Sequence, residues 1–234
     1  MLDVVNWDQW FVDLLDLALN ESRVCGLQFD AEAAEARLRL EVLALPETGP
    51  TDPDPRRVVV LSGVPAIEVT LRTEGSGGLG PVLPVGSLDE LETFFARLSW
   101  AHEMYGWAFV DIEDPGDIWA AVPSLVERGR PHAAAHTLRW FTECGQMLSE
   151  DQGASYLLQG MIRFDDLRVE RADGSPVPVE EEFLADASRW WKAFEARDSR
   201  LSADAQRRAG AVALSWRTWK GSSVVVPGGD ATTG

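Results

Sequence analysis

Residues 56–72, RRVVVLSGVPAIEVTLR, contain the strongest structural signal in the chain. Residues 58–61 form a continuous apolar run, which is typical of a strand. In residues 67–71, apolar and polar side chains alternate with the period of two that is expected of a strand with one face in water. Small residues and a proline at 63–65 separate the two patterns, so the stretch predicts two consecutive strands joined at a bend or bulge.

Strand patterns recur elsewhere in the chain. In residues 35–42, leucine and valine alternate with charged residues, which predicts a strand with one wet face. Residues 134–143 fit either a strand or a helix, and we favour a strand. Further strands are predicted at 104–112 and 156–172, and a hairpin turn at Asp173-Gly174.

Two short segments, 60–64 and 163–167, share a pattern. Each has an apolar strand end, then a small or acidic pair, then an apolar residue that opens a second strand. If this is a repeat, it marks two related β-rich halves that share a sheet or a core. The alternative is a chance match.

Helices are predicted where apolar residues recur every three to four positions. Ser87 followed by Glu90 makes a capping box, so a helix is expected over 87–99. An apolar stripe that runs to Phe194 predicts another over 180–198. Further helices are predicted over 3–19 and 202–219, and loops over 46–55 and 74–86.

The chain has 234 residues, of which 45% are hydrophobic, and this is enough apolar material to bury a core. We expect an α+β fold with mainly antiparallel sheets packed against three or four amphipathic helices. The expected organisation is one domain over 1–220, with two closely packed halves, 1–100 and 101–220, as the alternative. A disordered tail is expected over 221–234.

The net charge is −17, and most of it lies in the first half of the chain. Residues 1–117 contain 22 acids and 7 arginines, a net charge of −15. Such a surface repels nucleic-acid phosphates and anionic lipids and accelerates encounter with basic proteins. We therefore expect a basic protein partner and neither nucleic-acid nor membrane binding. High solubility is the alternative explanation of the charge.

The N-terminal residues lack the basic stretch, apolar core and cleavage site of a signal peptide. No apolar run reaches the length of a membrane-spanning helix. Cys25 and Cys144 are too few for a disulfide framework. We expect a cytoplasmic protein with buried, reduced thiols.

The sequence predicts no cofactor, no metal and no catalytic residue. Residues 75–80 have the literal spacing of a dinucleotide fingerprint, but Pro81 and Pro84 prevent the helix that would have to follow. His132 and His136 would share a face of a helix and reach one metal ion, whereas on a strand they would lie too far apart. The usual serine, phosphate-loop and zinc-protease motifs do not occur, so we favour a non-enzymatic function.

The densest acidic cluster adjoins a tryptophan, and we interpret the set as a partner-binding site: Asp111, Glu113, Asp114, Asp117 and Trp119. The carboxylates would attract a basic partner, and the indole would supply contact area. The alternative is a hydrolase or a small-ligand-binding protein that uses the carboxylates at 111–117 with His102, since paired carboxylates can act as general acid and base.

Ten tryptophans are several times an average share for this length. Most of them fall on apolar stripes and are expected in the core. Three fit the stripes least well and are candidates for exposed contacts, namely Trp10, Trp216 and Trp219.

Three segments carry a family resemblance: RLRLEVLALP at 37–46, VVLSGVPAI at 59–67 and GMIRFDDL at 160–167. They resemble segments of small, mostly uncharacterised β-rich proteins of actinobacteria, some of which are assigned as immunity proteins of polymorphic toxin systems. The resemblance implies a non-enzymatic, cytoplasmic binding protein, such as a neutraliser of a basic toxin. It transfers no functional residue to this chain.

Overall fold

The computed structural model of the chain describes residues 7–52, 54–75, 78–96, 109–112, 119, 122–144 and 155–201. These residues form an α+β fold of antiparallel sheets and short helices, as predicted. The elements in chain order are α1 (Gln9–Leu19), β1 (Arg23–Asp30), β2 (Glu35–Glu41), β3 (Arg56–Ser62), β4 (Ala66–Gly75), β5 (Gly78–Leu83), α2 (Leu88–Ala96), β6 (Phe109–Val110), β7 (Leu125–Arg128), β8 (His136–Cys144), β9 (Ser155–Phe164), β10 (Asp166–Arg171), β11 (Pro176–Val177), a π-helical segment (Val179–Leu184) and α3 (Ala185–Glu195).

The strands form two sheets, and every strand pair is antiparallel. The first sheet has the order β1-β2-β3-β10-β11, and the second has the order β5-β4-β9-β8-β6. β7 pairs with the first half of β4, on the same side as β5 pairs with its second half. In the described ranges, no helix is long and apolar enough to cross a membrane.

Two bent ribbons connect the sheets, and they run side by side. β3 continues into β4 through a bend at Gly63, and β9 continues into β10 through Asp165. β3 pairs with β10 in one sheet while β4 pairs with β9 in the other. The two similar segments noted in the sequence are these neighbouring bends, since the Asp165 N–H donates to the Ser62 carbonyl at 2.8 Å.

Gly63 has a positive φ of 64° and lies against the carboxylate of Asp165. A Cβ at this position would overlap that carboxylate, so both the backbone angle and the close approach require glycine. His132 binds the same carboxylate, with its Nε2 2.9 Å from the Asp165 Oδ2.

The core lies along the apolar sides of the strands and the inner sides of the helices. Trp140 of β8 is the largest fully buried side chain, and it lies over Gly160 of β9, where any Cβ would collide with the indole. The alternating residues predicted in β2 and β4 contribute Leu38, Leu40, Ile67 and Val69 to this core. The other large members include Leu15, Leu19, Val59, Leu61, Ile162 and Phe164.

Several element predictions are confirmed. The Ser87 half of the capping box is present, since the Glu90 N–H donates to the Ser87 hydroxyl at 3.1 Å, while the Glu90 carboxylate accepts the N–H of Gly86, one residue before the predicted position. Strand formation is confirmed over most of 134–143, and the hairpin at 173–174 joins β10 to β11. Cys25 is buried as expected, and burial raises the pKa of its thiol to about 12, so it stays protonated.

Other predictions were wrong in part. The loop predicted over 74–86 contains β5, because β4 offers its edge to this stretch. β1 was not predicted. The first helix begins at Gln9 rather than residue 3, since the Asp8 carboxylate caps it by accepting the Phe11 N–H at 2.8 Å. The last residue of the apolar stripe on α3 is not buried, since the side chain of Phe194 is 58% exposed to solvent.

The wet face predicted for β2 is also wrong in part. Arg39 and Glu41 are buried, because Glu92 of α2 pairs with the first and Arg23 of β1 with the second. Of the strand predicted over 104–112, residues 109–112 are described: β6 ends at Val110, because Asp111 turns the chain with a positive φ, so the prediction was too long at this end. The predicted helix at 202–219, the tail at 221–234, the side chain of Cys144 and residues 1–6 lie outside the described residues.

Candidate functional site

Asp111 and Trp119 are the two predicted site residues that the structure describes. Glu113, Asp114 and Asp117 lie outside the described residues, as does His102. Asp111 follows β6 and adopts a positive φ of 58°, a left-handed conformation that aspartate tolerates better than most residues. It therefore marks a sharp turn of the chain at the edge of the second sheet.

Hydrogen bonds to β8 hold Asp111 in this conformation. Its Oδ1 accepts the Thr137 N–H at 2.8 Å, and its Oδ2 lies 2.7 Å from Nδ1 of His136. The Asp111 N–H in turn donates to the Thr137 carbonyl at 2.9 Å. Although Asp111 is exposed, its carboxylate is thus already occupied by groups of the protein.

His136 begins β8 and is only 5% exposed. The indole of Trp7 stacks on its imidazole, with ring centroids 3.9 Å apart and planes 12° from parallel. Phe164 lies on the same cluster, 5.6 Å from both rings. His136 and His132 bind different carboxylates, and within the described ranges no three histidine, cysteine or acidic residues are grouped to hold a metal ion.

Asp16 lies on the inner side of α1 and faces the same edge of the sheet. The Val110 N–H, which points away from β8, donates to its carboxylate. The Oδ1 of Asp16 is buried and has no hydrogen-bond partner among the described residues. Burial raises the pKa of Asp16 to about 7, and the negative charges of Asp13 and Asp111 add to the effect, while the Val110 hydrogen bond opposes it.

The outer side of α1 is acidic and aromatic. Trp10 is 59% exposed, as the sequence predicted for it, and Asp13 one turn later is exposed and accepts a hydrogen bond from Gln9 at 2.8 Å. Leu14 and Leu17 are half-buried and continue the same face at the spacing of one and two turns from Trp10. Residues 7–22 contain four acids and no basic residue.

An aromatic cluster on α3 adjoins the end of this face. The Trp191 indole N–H donates to the Leu17 carbonyl at 3.2 Å, which places α3 beside the last turn of α1. Trp190 lies 5.1 Å from Trp191 and stacks on Phe194 at 5.4 Å between ring centroids. We call Trp10, Asp13, Leu17, Trp191 and Phe194 the α1–α3 surface.

Trp119 lies elsewhere, on the face of the second sheet. It is half-buried, and its indole N–H is buried without a hydrogen-bond partner in the described part of the chain. It borders a shallow cavity of about 180 Å³ that is also lined by Glu68, Thr70, Pro123, Arg139, Gln159 and Met161. The cavity is lined by acidic, basic, polar and apolar side chains. It therefore adds no evidence that Trp119 contacts a basic partner.

A larger cavity of about 470 Å³ lies between the loop before β3 and the turn after β10. Its arginines are already paired within the protein. Arg57 bonds Asp52 at 2.7 Å, Arg56 bonds Asp54 at 2.7 Å, and Arg171 pairs with Glu182. These ion pairs explain why charged residues line the cavity, so their presence there does not indicate a ligand.

The sequence did not predict that Asp16 and His136 both lie next to Asp111 at the edge of the second sheet. The signal for Asp16 was present, because it occupies a position in the buried stripe formed by Val12, Leu15 and Leu19. No comparable local signal pairs His136 with Asp111. No protein-family model matches the chain, and no match was found among curated proteins or solved structures.

Proposed function

We propose that the protein is a non-enzymatic binding module for a basic protein and that the α1–α3 surface is its contact. The observation that carries the proposal is Trp10, a large aromatic side chain that is 59% exposed on a helix whose neighbouring charges are all acidic. Tryptophan is enriched among residues that dominate binding energy, and acidic neighbours accelerate encounter with a cationic partner.

The charge of the whole chain supports the same partner. A net charge of −15 in residues 1–117 creates a field that attracts basic proteins over distances of about 10 Å at moderate salt. The resemblance of segments 37–46, 59–67 and 160–167 to actinobacterial proteins that include immunity proteins supports a more specific form of the proposal. In that form the basic partner is a toxin that the module neutralises.

The alternative function, a hydrolase or small-ligand-binding protein that uses the carboxylates at 111–117, draws support from the Asp111–His136 hydrogen bond. An acid–histidine pair can orient a general base. Here, however, the imidazole is buried under Trp7, so a substrate in solution would not reach it in this conformation. We therefore favour the binding function.

The test is a titration of the full chain with a synthetic peptide in which arginine and lysine alternate with leucine. We expect binding that weakens with salt, and a loss of about tenfold or more in affinity for Trp10→Ala. Val122→Ala is the matched control, because Val122 is the more exposed apolar residue at 71% but lies outside the α1–α3 surface. Equal affinities for the wild type and Trp10→Ala would contradict the proposal.

A second pair of variants tests the electrostatic part. Asp13→Asn should lower mainly the association rate, whereas Glu32→Gln, in the exposed β1–β2 turn, should change it less. If the chain instead forms a dimer in light scattering and Trp10→Ala abolishes that dimer, the α1–α3 surface contacts a second copy and the assignment to a basic partner fails.

A further inference from the structure

The inner side of α1 contains an acidic residue where an apolar one would fit. Val12, Leu15 and Leu19 are buried in the core, and Asp16 lies between them on the same stripe. Its carboxylate accepts the Val110 N–H of β6, but its Oδ1 is buried and has no hydrogen-bond partner among the described residues. An ionised carboxylate in this position is costly, whereas a protonated one is not.

Among the residues that the structure describes, the charged groups around this contact do not neutralise Asp16. On its own helix Asp13 is exposed, and at the end of β6 Asp111 adds a second negative charge. The imidazole of His136 in β8 is held by Asp111, with its Nδ1 2.7 Å from the Asp111 Oδ2. Two charged residues of the other elements packed on α1 have partners of their own: Arg189 of α3 pairs with Asp186 and the Leu45 carbonyl, and Glu182 of the π-helical segment pairs with Arg171. The remaining charged residues of these elements are exposed, namely Glu180, Glu181, Lys192 and Glu195.

We propose that protonation of Asp16 controls how firmly α1 packs against β6 and thereby how α1 presents Trp10. The protonated form holds α1 in the arrangement described above. The ionised form weakens the contact, because a partly buried negative charge then lies near Asp111, and no cation of the described residues compensates it. Protonation of Asp16 thereby regulates the α1–α3 surface. The consequence of this protonation for partner binding rests on the function proposed above.

The direction follows from proton linkage. The pKa of Asp16 is about 7 when α1 is packed and close to its ordinary value of 3.8 when the helix is detached. Between these values the packed state holds a proton that the detached state has lost. Raising the pH through this window therefore favours detachment, by about tenfold in the opening equilibrium between pH 6 and pH 8.

Hydrogen exchange of the α1 backbone amides in the full chain tests the inference. After correction for the intrinsic pH dependence of exchange, wild-type α1 should lose about tenfold in protection between about pH 6 and pH 8. Asp16→Asn cannot ionise and should show no such loss. Asp13→Asn is the matched control on the same helix and should retain most of it. A pH-independent wild type, or an Asp16→Asn variant that still responds, would overturn the proposal.

The peptide titration separates this inference from the proposed function. We expect the wild type to bind the cationic peptide more tightly at about pH 6 than at about pH 8, and Asp16→Asn to bind with similar affinity at both. Binding that is equally pH-dependent in both proteins overturns the regulation and leaves the proposed function standing. If no binding occurs but the exchange results are as expected, the proposed function fails and the proton-controlled packing of α1 is supported.

Discussion

The first sheet and the contact between α1 and β6 both bury charged side chains, but they treat the charge differently. In the first sheet each buried arginine has an acidic partner, as in Arg39 with Glu92 and Arg57 with Asp52. At the α1–β6 contact, Asp16 meets another carboxylate rather than a cation. Burial raises the pKa of Glu92 as well as that of Asp16, but the Arg39 guanidinium opposes the rise at Glu92, whereas the neighbouring charges of Asp13 and Asp111 add to it at Asp16.

The largest effect is expected where a buried pair in the first sheet is broken. Arg39→Met leaves Glu92 largely buried without its cation and should lower the free energy of unfolding by about 3–5 kcal/mol. Urea denaturation at neutral pH measures this. The double variant Arg39→Met with Glu92→Leu removes both charges and should recover most of the loss. If it is no more stable than the single variant, the pairing interpretation is wrong.

At the α1–β6 contact, removal of a charge is expected to stabilise the protein rather than destabilise it. Asp16→Asn should raise the free energy of unfolding at about pH 8 by about 1–2 kcal/mol, a value reduced to allow for the partial exposure of the side chain. The gain should shrink as the pH falls toward the ordinary pKa of aspartate, because the wild-type residue is then neutral in both states. Denaturation midpoints measured across this pH range give the result, and a gain that grows at acid pH would contradict it.

The smallest effect is expected for charges at the sheet surface. Arg168 is 49% exposed and bonds Glu35 at 2.7 Å and Glu170 at 3.1 Å. Arg168→Ala should cost about 0.2–1 kcal/mol, and less as salt is added, because exposed pairs are screened by solvent. A loss as large as that of Arg39→Met would show that exposure does not separate the two kinds of pair.

The sequence predicted elements whose signals are local. The apolar run at 58–61, the alternation at 67–71, the helix cap at Ser87 and the turn at 173–174 each became the expected structure, because a few neighbouring residues determine them. The class of fold followed from these elements together. The exposure of Trp10 was predicted in the same way, from its mismatch with the apolar stripe of α1.

The parts that were missed depend on residues distant in the chain. The alternation in β2 was correct, but the sequence does not tell that α2 and β1 bring Glu92 and Arg23 over its charged side chains. β5 has the glycine and proline content of a loop and becomes a strand only because β4 lies beside it. The Asp111–His136 bond joins β6 to β8, and no pattern within either segment indicates it.

The two bent ribbons have a consequence for how the chain is made. β3 acquires its second neighbour in the first sheet only when β10 is available, and β10 is synthesised after every strand of the second sheet. Until then one long edge of β3 offers unpaired backbone groups to any other nascent or misfolded polypeptide. The last strands of the two sheets are therefore synthesised one after the other, near the end of the described chain. A chain whose translation stops before β10 would be prone to aggregate.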